Sequence, residues 1–243
     1  MGETPPFYGV CIDSVRSYAD RIGAAHVVQQ EPILRIAPLS SSRSENALRL
    51  GYLPIYEKEN ALALLGEYEQ VLILDADVYV KESAPDIFGE SDAPFAGVVE
   101  REMPITARYL DKIRKHSLGQ FASLSDIDWK WDERGAEFFN MGVMLLNESL
   151  LPYLDGQTPE QFLRRPEFEP FVNGDGHWKW STDQTLLNWW LKSVDIETDH
   201  LDWRWNALYG AVQDISEAWF VHFFLSAKLD KKGAEIPGIV KGL

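Results

Sequence analysis

The sequence contains one cysteine in 243 residues, Cys11, so no disulfide can form within the chain. That excludes the small disulfide-stapled class of secreted domains. It also lacks any apolar run close to the roughly 18 to 20 residues that cross a bilayer, and it has no basic start followed by an apolar stretch of the kind that marks a leader. Together these absences predict a reducing, cytosolic (cytoplasmic) setting and no membrane span. Positive charge is scarce as well: 23 Lys and Arg stand against 38 Asp and Glu, a net charge of −15. Nucleic-acid polymers are held largely by Lys and Arg on phosphates, so no such partner is expected. A small anionic ligand stays open where a cation or a local basic residue neutralises it.

The chain is otherwise ordinary for a globular protein, with 45% hydrophobic and 25% charged residues, which excludes disorder. Internal repeats and low-complexity tracts are missing. This length suits one large α/β domain spanning residues 1–243 with a sizeable core. Nine tryptophans are many for this length. They are explained either by core packing or by stacking on sugar rings, to which aromatic faces are suited.

The run Val71-Leu72-Ile73-Leu74 followed by Asp75-Ala76-Asp77 reads as a strand buried on both faces that delivers two acids to its end. Period-2 geometry on an extended backbone puts Asp75 and Asp77 on one side, beyond the carboxyl edge of the sheet, where open α/β sheets bind ligands. Two neighbouring carboxylates repel unless a positive charge sits between them, and a hard divalent cation serves. Upstream, Thr4-Pro5-Pro6 opens a helix through Ile22 that stops at Gly23. Ala25 to Val28 and Ile33 to Ile36 are short strand candidates, and Asn46 to Leu65 has helical spacing broken near Pro54. Downstream, Phe95 to Val99 and Phe138 to Asn147 read as strands, with Gly142 marking a bend or a close backbone approach. Helices are expected from Thr106 to Lys115 and from Ser181 or Thr182 to Lys192. Asp126 to Arg134 is an irregular, substrate-side loop, and Phe220 to Phe224 is the last strand-like run.

An Asp-X-Asp pair alone can also cap a turn. Haloacid dehalogenase-type phosphatases place one after a hydrophobic strand, although near the N-terminus and with Thr or Val where Tyr79 stands here. The ordered set is more specific: Val71 to Asp77, Phe139-Asn140-Met141-Gly142-Val143, Asp183-Gln184, Trp203-Arg204-Trp205-Asn206, and His222 with Lys228. Over residues 58 to 228 it resembles the retaining glycosyltransferases of family 8, the glycogenin-like group. The resemblance implies a GT-A type α/β fold, a central, mostly parallel mixed sheet flanked by helices. It implies an enzyme that moves a hexose from a nucleotide sugar, a UDP-sugar first, to a carbohydrate or other hydroxyl acceptor, with retention.

By match, Asp75, Asp77 and His222 hold Mn²⁺ (or Mg²⁺), and Lys228 contacts the diphosphate. Asn140, Asp183 and Gln184 line the sugar and acceptor site, and Asp183 is the nearest carboxylate to serve as nucleophile. Lys58 stands near a basic residue that touches the nucleotide. The family begins with a strand and a base-holding loop, whereas this chain opens almost directly into a helix. The expected sheet therefore lacks that first strand, and Thr4 and Tyr8 remain near where the loop would end. A catalytically silent nucleotide- or glycan-binding relative is the alternative.

Overall fold

Phe7, Cys11, Tyr18 and Ala19 recur at helical spacing, and in the computed structural model they are the buried face of α1 (Phe7–Ile22). Gly23 ends that helix at φ 75°, a left-handed conformation that glycine adopts freely. The structure describes residues 7–37, 49–180, 182–224 and 233–242. The expected helix opening at Thr4-Pro5-Pro6 and Lys228 lie outside the described residues.

Neither strand expected between Ala25 and Ile36 forms a ladder. For Ile33 to Ile36 the reason is a buried acid. The Glu57 carboxylate, on the 3-10 segment Pro54–Gly66, accepts the backbone N–H of Ile33 at 2.6 Å, Leu34 at 3.1 Å and Arg35 at 2.7 Å. These donors are then lost to any neighbouring strand, and Arg35 takes φ 47° to complete the wrap. Such charge-assisted bonds are the strong ones. Glu57→Ala is expected to cost about 3 kcal/mol and to open residues 29–36 to proteolysis. Urea unfolding checks this, and a loss below about 0.5 kcal/mol, the range of ordinary surface changes, contradicts it.

Two sheets follow. The first has the order β1 (Gln70–Leu74), β4 (Phe139–Asn147), β3 (Phe95–Val99), β5 (Thr198–His200). The second has the order β2 (Val78–Val80), β7 (Phe220–His222), β6 (Ala207–Leu208). Helices α2 (Ala107–Phe121), α3 (Pro159–Leu163), α4 (Glu169–Asn173), α5 (Asp183–Ser193) and α6 (Ile236–Val240) complete the described elements with several 3-10 turns. Thr106 caps α2 and Thr182 caps α5 by accepting backbone N–H groups.

The expected mixed sheet flanked by helices forms, but it is not mostly parallel. Among the described residues, three of the five strand pairings are antiparallel. β1, β3 and β5 share a direction, but β4 runs against them from its place between β1 and β3. A strand buried on both faces carries the same apolar run in either direction, so its sequence does not reveal this reversal.

Alternate residues of the first sheet supply two cores. Val71, Ile73, Phe95 and Met144 face one. Ala96, Val98, Val143 and Leu145 face the other, which also receives α1 and the second sheet. The alternation changes phase in β4: Met141 and Met144 lie in the same core with Val143 opposite. The register slips there too, from Gly97↔Met144 to Val98↔Asn140, so β4 bulges around Gly142. Trp129, Trp190 and Trp205 are core residues, at most 3% exposed, and are not stacking platforms. Among the described residues, no helix is long and apolar enough to cross a membrane.

Candidate functional site

The two acids meet by a route other than the extended one expected. Asp75 follows the end of β1, and the Val78 N–H donates to the Asp75 carbonyl at 3.0 Å, so Asp75-Ala76-Asp77 is a tight turn from the first sheet into the second. The turn is held on both sides. Asp75 N–H donates to the Gly142 carbonyl at 2.9 Å, and Phe223 N–H donates to the Asp77 carbonyl at 2.9 Å. Antiparallel pairing of β2 with β7 sets His222 opposite Val78 and therefore beside Asp77.

Asp75, Asp77 and His222 each offer a ligand atom, and these atoms all lie within 4.8 Å of one another. His222 Nε2 lies 3.2 Å from Asp77 Oδ1 and 3.7 Å from Asp75 Oδ2. Burial works against charging the ring, yet the bond to Asp77 and the charges of both acids raise His222 above its ordinary value. Burial likewise works against ionising Asp77, but the His222 bond holds its carboxyl below the usual range. Two oxygens and one imidazole nitrogen form a donor set that suits Mn²⁺ or Mg²⁺.

Lys58 joins this cluster. Its ammonium lies 2.8 Å from Asp75 Oδ1 and 2.8 Å from Asp183 Oδ2, and it donates to the Met141 carbonyl at 2.7 Å. Burial lowers its pKa, but Asp183 and Asp75 outweigh that and hold it well above the ordinary value. Asp183, at the first turn of α5, is raised by burial against the pull of Lys58. Glu59, 1% exposed, is raised by burial and then by Asp183. Lys58 therefore ties Asp75 to Asp183, the acid at the start of α5.

Two more of the residues predicted from sequence, Gln184 and Asn140, border this centre. The Gln184 amide oxygen accepts from Met141 N–H at 3.3 Å, bracing the bulge. Asn140, 7% exposed, spends its amide inside the protein, on Glu100, Asn206 and the Gly142 N–H. Tyr8 sits on α1, edge-on to Phe7, among the residues packed on the second core.

Three residues without a predicted site role complete the surroundings. Asn206 Oδ1 lies 3.0 Å from His222 Nδ1, Glu100 accepts from Asn140, and Gly142 leaves room for the imidazole. A Cβ on Gly142 would overlap His222 Cε1 and Nδ1. The sequence signal for Gly142 was a glycine inside a strand; Asn206 closes the Trp-Arg-Trp-Asn stretch; Glu100 has no signal beyond following a buried strand.

No known protein family's sequence profile matches the chain, and no curated protein matches it. Solved structures do. A glycosyltransferase involved in the glycosylation of the major capsid of PBCV-1 superposes with TM-score 0.54 and 14% identity, over 98% of this chain and 95% of that one. Mouse xyloside xylosyltransferase 1 in its apo form gives TM-score 0.44 and 16% identity over 91% of this chain and 75% of that one. The WbbM bifunctional glycosyltransferase gives 0.44 and 15% over 70% of this chain, which spans 31% of its length. The likeness is one of fold: mixed sheets flanked by helices in the GT-A arrangement.

Proposed function

We propose that this chain is a metal-dependent glycosyltransferase that moves a hexose from a nucleotide sugar, a UDP-sugar, to a carbohydrate or other hydroxyl acceptor, with retention. Residues 1–243 act as one GT-A-like domain in a cytosolic setting. The observation that carries the reading is the convergence of Asp75, Asp77 and His222 at the end of β1.

Mn²⁺ or Mg²⁺ held by these three residues would stabilise negative charge on the departing diphosphate. Lys58 fixes Asp75 and Asp183 on either side of one ammonium. Asp183, with a side chain 9% exposed, is thereby a carboxylate held one ammonium away from Asp75, suited to face positive charge at the anomeric carbon. Gln184 keeps the β4 bulge closed on this group. Lys228, matched to the family's diphosphate lysine, completes the reading as a second cation for the donor.

Thermal unfolding with UDP, with and without Mn²⁺, tests the proposal. UDP and Mn²⁺ together at about 100 times the dissociation constant are expected to raise Tm by about 5 to 10 °C, and UDP without metal by much less. No response in either condition overturns the nucleotide-sugar reading. Hydrolysis of p-nitrophenyl phosphate by that same protein would then point to the phosphatase.

A further inference from the structure

A histidine that ligates a metal through one ring nitrogen carries its proton on the other, and the partner of that second nitrogen sets which is which. Here Nε2 faces Asp77 and Asp75, and Nδ1 faces the amide of Asn206. Which end of that amide meets the ring is settled two side chains away.

An ionised carboxylate only accepts hydrogen bonds, whereas an amide donates at one end and accepts at the other. Glu100, 6% exposed, accepts from Asn140 Nδ2 at 2.9 Å and from the Tyr109 hydroxyl at 3.2 Å. Burial and then the charge of Glu100 push the Tyr109 phenol well above its ordinary value, so Tyr109 stays a donor. With Nδ2 committed to Glu100, Asn140 turns Oδ1 the other way. There it accepts from Gly142 N–H at 3.0 Å, a backbone donor that cannot reverse, and from Asn206 Nδ2 at 2.9 Å. Asn206, fully buried, is left with Oδ1 toward His222. An oxygen at that place requires a hydrogen on Nδ1. Glu100, Asn140, Asn206 and His222 are each at most 7% exposed, so a misplaced donor among them has no solvent to turn to.

We infer that Glu100 is a positioning residue that, through Asn140 and Asn206, keeps a hydrogen on His222 Nδ1 and leaves Nε2 as the nitrogen offered to a divalent cation beside Asp75 and Asp77. The inference rests on the metal reading of the site for its purpose, though not for its geometry. Asp77 pulls a hydrogen toward Nε2, so the metal-free ring holds both hydrogens or the Nδ1 hydrogen alone, never the Nε2 hydrogen alone.

Two readouts test it, neither of them activity. The first is the imidazole ¹H–¹⁵N spectrum of metal-free protein labelled with ¹⁵N-histidine, at neutral and alkaline pH. The second is Mn²⁺ affinity from the EPR signal of free Mn²⁺. Wild type is expected to show the Nδ1 hydrogen at both pH values. Glu100→Leu should lose it at alkaline pH and bind Mn²⁺ about 10- to 100-fold more weakly. Glu100→Gln keeps an acceptor for Asn140 and should stay within about threefold of wild type, well short of the cost of losing an outer-shell partner. A folded Glu100→Leu that keeps both the Nδ1 hydrogen and wild-type affinity overturns the inference. If Glu100→Leu does not fold, Asn206→Ala decides by the same criteria. Wild type that binds no Mn²⁺ sinks the metal reading instead, and the Nδ1 signal still decides the role of Glu100.

Discussion

Asp77→Asn is expected to lower Mn²⁺-dependent hydrolysis of a UDP-sugar donor by at least about 100-fold. Removing a residue that merely supports a metal ligand costs about 10- to 100-fold in affinity or activity, and Asp77 is itself a proposed ligand. The substitution keeps the side-chain shape and leaves in place the backbone carbonyl that accepts from Phe223, so the turn should survive. The introduced amide can still pair with His222 Nε2, donating to it when that nitrogen is bare and accepting from it when it carries a hydrogen, which spares the buried ring an unpaired nitrogen. UDP release in a coupled assay gives the rate, and far-UV circular dichroism verifies the fold. Hydrolysis at the wild-type rate would sink the metal assignment, because an amide is a far poorer ligand for a hard cation than a carboxylate.

Gly142→Ala should damage the same site from behind. The added methyl would overlap the His222 ring at Cε1 and Nδ1, and the ring is confined, with Asn206 at 3.0 Å on one side and Asp77 at 3.2 Å on the other. Overpacking of this kind costs about 1 to 3 kcal/mol, or roughly 5 °C in Tm for a chain of this size. Displacement of the imidazole should cost more in function than in stability. The Tm rise that Mn²⁺ and UDP give wild type should disappear in Gly142→Ala, while a surface glycine such as Gly89, whose Cβ would meet nothing within 4 Å, should tolerate alanine with the rise intact. A Gly142→Ala protein with wild-type Mn²⁺ affinity would show that the ring has room to move.

Much of this site was legible in the sequence because its ligands sit on features with strong local signals. Asp75 and Asp77 end an apolar run, His222 lies in another, and Asp183 opens a capped helix; the structure brings the first three together and ties Asp183 to Asp75 through Lys58. The geometry behind them was less accessible. A carboxyl placed in an extended strand and one placed in a turn look alike in sequence, so the turn at Asp75-Ala76-Asp77 emerges only once the second sheet is seen. Glu57 was invisible for a related reason. Nothing in its neighbours announces that its oxygens will take three consecutive backbone donors from residues 33–35, yet that contact is what keeps Ile33 to Ile36 from being a strand. Glu100 and Asn206 act through the polarity of buried amides, which leaves no periodic trace. The direction of β4 was hidden by the uniform burial of its side chains.

The turn at Asp75 to Asp77 hands the chain from one sheet to the other, and His222 belongs to the second sheet while Gly142 and Asn140 belong to the first. His222 is separated from Asp75 and Asp77 by more than half of the sequence, so the three proposed ligands cannot meet through local chain closure. Contacts of such long range are late events in folding. On the proposed metal reading, the nascent chain must complete β7 before it can hold an ion, and a cation that binds only the finished site would slow unfolding more than it speeds folding. In hydrogen exchange, that ion should act as a rivet between sheets, raising protection in β1 of the first sheet together with β2 and β7 of the second, and leaving the rate of chain collapse unchanged.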